Sequence, residues 1–328
     1  MVNNYSYPLV SIIIPVKNGE RTIVRCVESV LALSYPGFEL IVINDGSSDG
    51  TAALLGRFAG DPRITVIETG GVGPSAARNM GIALANGEFL AFTDGDCIVE
   101  PAWLDNLFDE FSNFRAIKVG AVGGCQESPS DDTAFGKTVQ QFMKTIGFIT
   151  DYAKDGRNFD IITATAHNAS CNVMYKKEVF KKAGLFLESL WPGEDVELDF
   201  RAARAGYTLL FNPKAKVYHY RPATIAQFRR MMQRYGYAQG LLVKKYGFFR
   251  PLQYVPVISA VACAAFAIMA VNGLFICVMA ACVLIPALIL SYFSARTKAP
   301  LHHTMLFINT LIFWHYGFYS TVLSDSEL

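Results

Sequence analysis

The chain has 328 residues, of which 52% are hydrophobic and 17% charged, and its net charge is +1. It is too apolar on average for an ordinary soluble protein of this length, and so balanced a charge gives no reason to expect a nucleic-acid partner. The apolar excess is local: Pro251 to Ala295 and Ala299 to Ser324 contain no Asp, Glu, Lys or Arg, whereas residues 1–250 hold nearly all the charge.

Val10 to Pro15 is a β-branched run closed by proline. It reads as a strand rather than a signal peptide, since it lacks a basic leader and a small-residue cleavage site. Arg21 to Ala32 follows, with Ile23, Val27, Val30 and Leu31 at helical spacing. The alternation repeats: a strand over Glu39 to Asn44 and a helix from Thr51, then a strand over Ile64 to Glu68 and a helix over Ser75 to Ala85. A fourth strand, Phe89 to Thr93, runs into Asp94-Gly95-Asp96. Near-continuous apolar strands alternating with helices predict a parallel sheet covered on both faces, with ligands beyond the carboxyl ends of the strands. Farther on, strands are expected over Val119 to Gly123, Cys171 to Tyr175, Leu209 to Asn212 and Lys216 to Tyr220, and helices over Phe135 to Ile146, Lys176 to Ala183 and Val196 to Ala205.

Asp94 and Asp96, just past a buried strand, can both face a crevice and hold a divalent cation against a diphosphate; a plain Asp-Gly turn is the other reading. Pro15-Val16-Lys17-Asn18 and Asn44-Asp45-Gly46-Ser47 end neighbouring strands and should converge there. Asp45 is placed to accept from a uracil imide or a guanine N–H, or else it caps a helix, as Asp49 could. Gly70 to Asn79 is a glycine-rich loop feeding a helix, where backbone N–H groups and the Arg78 fork can meet ribose or diphosphate oxygens. Glu194 and Asp195 start a helix, either as caps or as the general base that sugar transfer by direct displacement requires. His219, on a strand, is a candidate to complete the cation's shell.

Ile225 to Lys245 interleaves Phe228, Met231, Met232 and Tyr235 with Arg229, Arg230 and Arg234, and reads as an interfacial helix or as one packed on the domain; Gln227 to Arg230 could also reach the diphosphate or acceptor. A bilayer span needs about 20 apolar residues, so three are expected, near 251–271, 274–295 and 301–323. Basic residues before the first and between the second and third place residues 1–250 in the cytoplasm, with the tail Asp325-Ser326-Glu327-Leu328 across the membrane. The seven cysteines, among them Cys97, Cys171 and Cys277, show no paired spacing and read as reduced packing residues.

Taken in order, Val10 to Glu20, Ile43 to Thr51, Ala77-Arg78-Asn79, Thr93 to Asp96 and Gly193-Glu194-Asp195 resemble the family 2 glycosyltransferases over about residues 8–250. The resemblance implies a GT-A fold, a Rossmann-like nucleotide-sugar-binding α/β sheet, and an inverting transferase using Mg or Mn and a UDP- or GDP-sugar. It implies that Pro15, Lys17, Asn18, Glu20, Asp45, Arg78, Asp94 and Arg230 serve the donor, that Asp94, Asp96 and His219 serve the metal, and that Asp195, with Glu194 beside it, is the base. Gln227-Phe228-Arg229-Arg230-Met231 is similar to the Gln-x-x-Arg-Trp motif of membrane synthases, with Met231 removing the aromatic platform of a processive site. The expectation is therefore a GT-A domain over 1–222, an interfacial amphipathic helix over 223–250 and a transmembrane region over 251–328. Such an enzyme would pass one sugar to a polyprenyl phosphate or a polyprenyl-diphosphate-linked glycan at the inner face of the cytoplasmic membrane. A diacylglycerol-type acceptor and a non-catalytic nucleotide-binding scaffold are the alternatives.

Overall fold

A computed structural model describes residues 7–114, 116–147 and 161–324, so the expected acidic tail 325–328 and the side chain of Cys277 lie outside it. The elements in chain order are β1 (Val10–Val16), α1 (Ile23–Leu31), β2 (Phe38–Asp45), α2 (Thr51–Leu55), β3 (Ile64–Thr69), α3 (Pro74–Leu84), β4 (Phe89–Phe92), β5 (Cys97–Val99), α4 (Trp103–Asn113), β6 (Val119–Glu127) and α5 (Ala134–Thr145). They continue with β7 (Thr163–Thr165), β8 (Val173–Lys176), α6 (Lys177–Ala183), α7 (Glu194–Arg204), β9 (Thr208–His219), α8 (Ile225–Tyr246), α9 (Val255–Val271), α10 (Phe275–Ser294) and α11 (Pro300–Val322).

The chain divides into two compact units, residues 1–132 with 146–221, and residues 133–145 with 222–328. The first is built on a sheet of order β3-β2-β1-β4-β8-β6-β9-β5, with β7 beside β9. Among the described residues only β3-β2-β1-β4 and the pair β6-β9 are parallel; β8 runs against β4 and β6, and β5 and β7 run against β9, so the fully parallel expectation is corrected. All seven residues of β1 are buried. The two-residue strand period sends Val10, Ile12, Ile14 and Val16 into the core with α1 and α4, and Ile13 into the opposite core with Ala77 and Ile82 of α3. β9 is one strand where two were expected, because the Pro213 region is absorbed as a register shift opposite Gly124 and Cys125.

The second unit is helical. α8 and α11 meet backbone to backbone: a Cβ on Gly236 would lie 1.9 Å from the Trp314 carbonyl, and one on Gly317 would lie 2.0 Å from that of Gln233. Phe228, Met232, Leu241 and Leu242 of α8 are buried in this unit, and Arg229 Nε donates to Asn309 Oδ1 at 2.7 Å. The apolar stripe that suggested an interfacial helix is thus covered by protein. Among the described residues one helix, Pro251–Val271, is long and apolar enough to cross a membrane, and a shorter apolar helix covers Val278–Ser294. Of the three expected spans, the first is the one this supports as a candidate. α11 is polar enough along its packed face, with His303, Asn309, Thr310 and Thr321 buried, to fall below a span's hydropathy. Its aromatic patch joins α9, His315 Nε2 lying 3.0 Å from Ser259 Oγ and Tyr319 donating to the Pro256 carbonyl.

Candidate functional site

Because β1, β2 and β4 run parallel in register, the turns that leave them open at one edge of the sheet. Asn18, with a left-handed φ of 56°, receives the Ser48 N–H on Oδ1 at 2.8 Å, and Glu20 Oε2 receives that of Gly50 at 2.9 Å. Asn18 and Glu20 therefore clamp the first turn onto the second, while Pro15 is buried within β1. Lys17 is exposed, and its Nζ lies 3.1 Å from where Gly71 would carry a Cβ.

Asp45 faces the glycine-rich loop. Its Oδ1 receives the Thr69 hydroxyl at 2.5 Å and the Val72 N–H at 2.6 Å, and its Oδ2 receives the Gly73 N–H at 2.9 Å. Burial opposes ionisation, but these bonds and nearby Lys17 hold the carboxyl below its ordinary range. Gly46, at φ 67°, lets the loop close in, since a Cβ there would lie 2.8 Å from the Gly71 nitrogen. The carboxylate expected to read a base is engaged in shaping this loop.

Asp94 and Asp96 follow β4 on a turn whose Gly95 has no room for a Cβ, which would come within 2.8 Å of Val16 Cγ2. Their side chains are 27% and 47% exposed. His219, the last residue of β9, is set beside them by the antiparallel register that pairs it with Cys97. Its Nε2 lies 3.4 Å from Asp96 Oδ1, and one ligand atom from each of Asp94, Asp96 and His219 falls within 4.8 Å of the others. Two accessible carboxylates and an imidazole are a donor set that fits Mg or Mn. Burial pulls the His219 imidazole down, but the Asp96 carboxylate outweighs it and lifts the group to about 10. A metal must take the ring in its neutral form, so binding at His219 expels a proton. Mn2+ affinity is therefore expected to rise by up to about tenfold per pH unit between about pH 6 and 8. Calorimetric titration across that range checks it, and a flat profile would remove His219 from the shell.

Arg78 and Glu194 form a buried ion pair behind the acid turn. Arg78, only 2% exposed, donates through Nη2 to Asp94 Oδ1 at 2.7 Å and through Nη1 to Glu194 Oε1 at 2.8 Å. With both terminal nitrogens engaged inside the protein, it is a strut between the acid turn and α7. Glu194 is equally buried; desolvation, helped by the charge of Asp195 and opposed by Arg78, pushes it up to about 7. A carboxyl shut away from solvent does not meet an acceptor, which leaves Asp195 as the accessible acid of the pair. Arg78→Ala should destabilise the fold by about 3–5 kcal/mol, because it strands a buried carboxylate. Urea unfolding measures this, and a loss below about 1 kcal/mol, that of an exposed pair, would refute the strut.

Asp195 receives the Ser170 N–H on Oδ2 at 3.0 Å and that of Val196 on Oδ1 at 2.8 Å. His167, not anticipated, stands beside it with Nε2 4.0 Å from Asp195 Oδ2 and Nδ1 3.1 Å from Asp199 Oδ2. Asp199 is fully buried and also receives the Tyr175 hydroxyl at 2.6 Å and the Asn168 N–H at 2.7 Å. The available signal was the i, i+4 spacing of Asp195 and Asp199 on one helix face; nothing local marked His167. Arg230 is exposed on α8, in the helical unit.

A mixed sheet with an acid turn at the end of β4 and a histidine closing β9 is a GT-A-like arrangement, in keeping with solved structures of that shape. Mannosyltransferase PcManGT from Pyrobaculum calidifontis, in complex with GDP-Man and Mn2+, superposes at a TM-score of 0.64 over 98% of this chain and 89% of that one, with 18% identity. S. aureus TarS 1-349 does so at 0.53 over 95% and 90%, with 16% identity. The model of glycosyl transferase family 2 matches residues 11–184, and the chain belongs to that family. Glycosyltransferase AglE of Haloferax volcanii is 33% identical over 62% of this chain and 64% of its own length. EpsJ of Bacillus subtilis, an uncharacterized glycosyltransferase, is 30% identical over 60% and 56%. The chain thus spans less than two thirds of the length of these relatives.

Proposed function

We propose that the protein transfers one sugar, with inversion, from a UDP- or GDP-sugar to the hydroxyl of a lipid-linked glycan at a membrane surface, with Mg or Mn bound at Asp94, Asp96 and His219. The observation that carries this reading is the Arg78 bridge, which joins the acid turn to the first turn of α7 and so makes the metal corner and Asp195 neighbours. When bound, the cation would neutralise the charge developing on the leaving nucleoside diphosphate. Lys17 and the loop shaped by Asp45 border the donor.

Asp195 takes the proton of the attacking hydroxyl as the bond to the anomeric carbon forms. The Ser170 and Val196 N–H groups hold its carboxylate in place, and His167, braced by Asp199, flanks it. An acceptor phosphate is already ionised and needs no base, so a carboxylate in this position favours a glycan hydroxyl over a bare polyprenyl phosphate. The lipid part of the reading is supported by the apolar helix Pro251–Val271 and by the exposure of Ile258, Val261, Ile268, Val283 and Leu288 at 63–68%. Holding a site at the bilayer raises the local concentration of an acceptor that cannot leave it; the basic residues flanking the apolar stretches favour a cytoplasmic catalytic unit in this reading.

The test is a screen of radiolabelled UDP- and GDP-sugars against membrane lipid extract with Mn2+, counting label that partitions into organic solvent. The expected result is label from one sugar nucleotide, lost with EDTA. Label appearing only in soluble glycans would overturn the acceptor, and no turnover with any donor would leave a nucleotide-binding scaffold.

A further inference from the structure

Two thiols lie against the proposed metal corner without a part in the transfer. Cys97, fully buried, is the β5 residue paired with His219 of β9, so the two side chains leave the same face of the sheet. Cys171, 4% exposed, arrives from the segment that leads into β8. Cys97 Sγ, Cys171 Sγ and a ring nitrogen of His219 all lie within 4.8 Å of one another. Asp96 Oδ1 stands at the open side of this group, 4.0 Å from Cys97 Sγ and 3.4 Å from His219 Nε2.

We propose that Cys97, Cys171 and His219, with Asp96 in the fourth position, form a second cation site of thiophilic character that takes Zn2+. The edges of a tetrahedral zinc site with sulfur, nitrogen and oxygen ligands are about 3.3–3.8 Å, so a small contraction of the observed separations reaches it. Two sulfurs and an imidazole favour zinc, whereas the neighbouring pair of carboxylates with the same imidazole favours Mg or Mn. The ring is already braced for a metal: Nδ1 faces Gln126 Oε1 at 3.4 Å, and that oxygen is fixed by Arg221 Nη2 at 2.9 Å. With the proton on Nδ1, the Nε2 lone pair points toward Asp96 and the thiols. Arg221 Nη1 also lies 3.4 Å from Nδ1, which makes this bracing competitive rather than absolute. The partly exposed ring and Asp96 offer the way in, at 21% and 47% side-chain exposure.

Zn2+ enters, the protons held by the two sulfurs and by the His219 ring leave to solvent, and the sulfurs ligate as thiolates. His219 has one Nε2 lone pair, so it serves either site but not both. Zinc occupancy therefore removes His219 and Asp96 from the Mn corner and stops transfer; this consequence rests on the function proposed above, while the binding itself does not.

Co2+ titration of the full chain is the direct test, since thiolate ligation gives an intense near-ultraviolet charge-transfer band and tetrahedral cobalt gives visible bands. One equivalent is expected, lost in the Cys97→Ser/Cys171→Ser double variant, and chelator competition should show Zn2+ affinity falling by more than about tenfold. Should that variant fail to fold by circular dichroism, Cys171→Ala alone is read the same way. In the Mn-dependent assay the double variant should resist Zn2+ at more than about ten times the concentration that halves native activity. Cobalt bands without sulfur character, a Cys97–Cys171 disulfide in the native protein, or equal zinc inhibition of both proteins would overturn the site. A protein that binds Co2+ through sulfur yet transfers no sugar would instead refute the function and leave the site standing.

Discussion

Asp96→Ala should lower metal-dependent sugar transfer by about a thousandfold or more. Asp96 is the more exposed of the two turn acids and the one that faces His219, whereas Asp94 is held on one oxygen by Arg78. Its loss removes a ligand and also the partner that keeps the His219 ring aligned. A Lewis acid at a leaving diphosphate is worth several kcal/mol of charge stabilisation, and about 4 kcal/mol corresponds to three orders of magnitude in rate. Because Asp96 is half exposed and supports no core contact, the variant should melt within a few degrees of the native protein. Initial rates at saturating donor, with Mn2+ binding followed by electron paramagnetic resonance, separate lost metal from lost folding. Retention of more than a tenth of native activity with unchanged Mn2+ affinity would move the metal elsewhere.

Asp195→Asn is the second large effect, a fall in kcat of about 10²–10⁴ at nearly constant donor KM, as expected when a general base is removed. Asparagine keeps the size of the side chain and can still accept the Ser170 N–H, so the change tests proton transfer rather than shape. The size of the loss also reports the acceptor. With a glycan hydroxyl as nucleophile the drop is full, while with an acceptor phosphate it shrinks to a few fold, because no proton has to be removed. His167→Gln should give a smaller loss of about tenfold, since His167 positions the carboxylate without touching substrate.

The first half of the sheet was legible because β1, β2 and β4 are buried on both faces and so read as unbroken apolar runs. The acid turn was legible for the same reason: it stands where such a run ends. β5 and β7, three residues each, are too short for any periodicity to show. α4 was missed although Trp103, Leu104, Leu107 and Phe111 are buried on it at helical spacing. Strand direction was not legible past β4, because the reversal at β8 depends on pairing across more than eighty residues. Within the site, the residue types and their order were visible, but not their work. Nothing in the glycine-rich segment around Arg78 announces its bond to Glu194, 116 positions away. His167 and Cys171 carry no local mark at all, and only the tertiary fold brings them to Asp195 and His219.

The glycine contact between α8 and α11 has a practical consequence for anyone wishing to work without detergent. Deleting everything after Tyr246 would strip away the helix that Gly236 and Gly240 press against. The shortened chain would trade one greasy surface for another and would clump rather than dissolve. Ending the chain near Arg221 would not cure this, because α5 would stay behind without the Phe228, Phe293 and His303 rings that cover its Phe142, so any soluble version has to lose or redesign α5 as well.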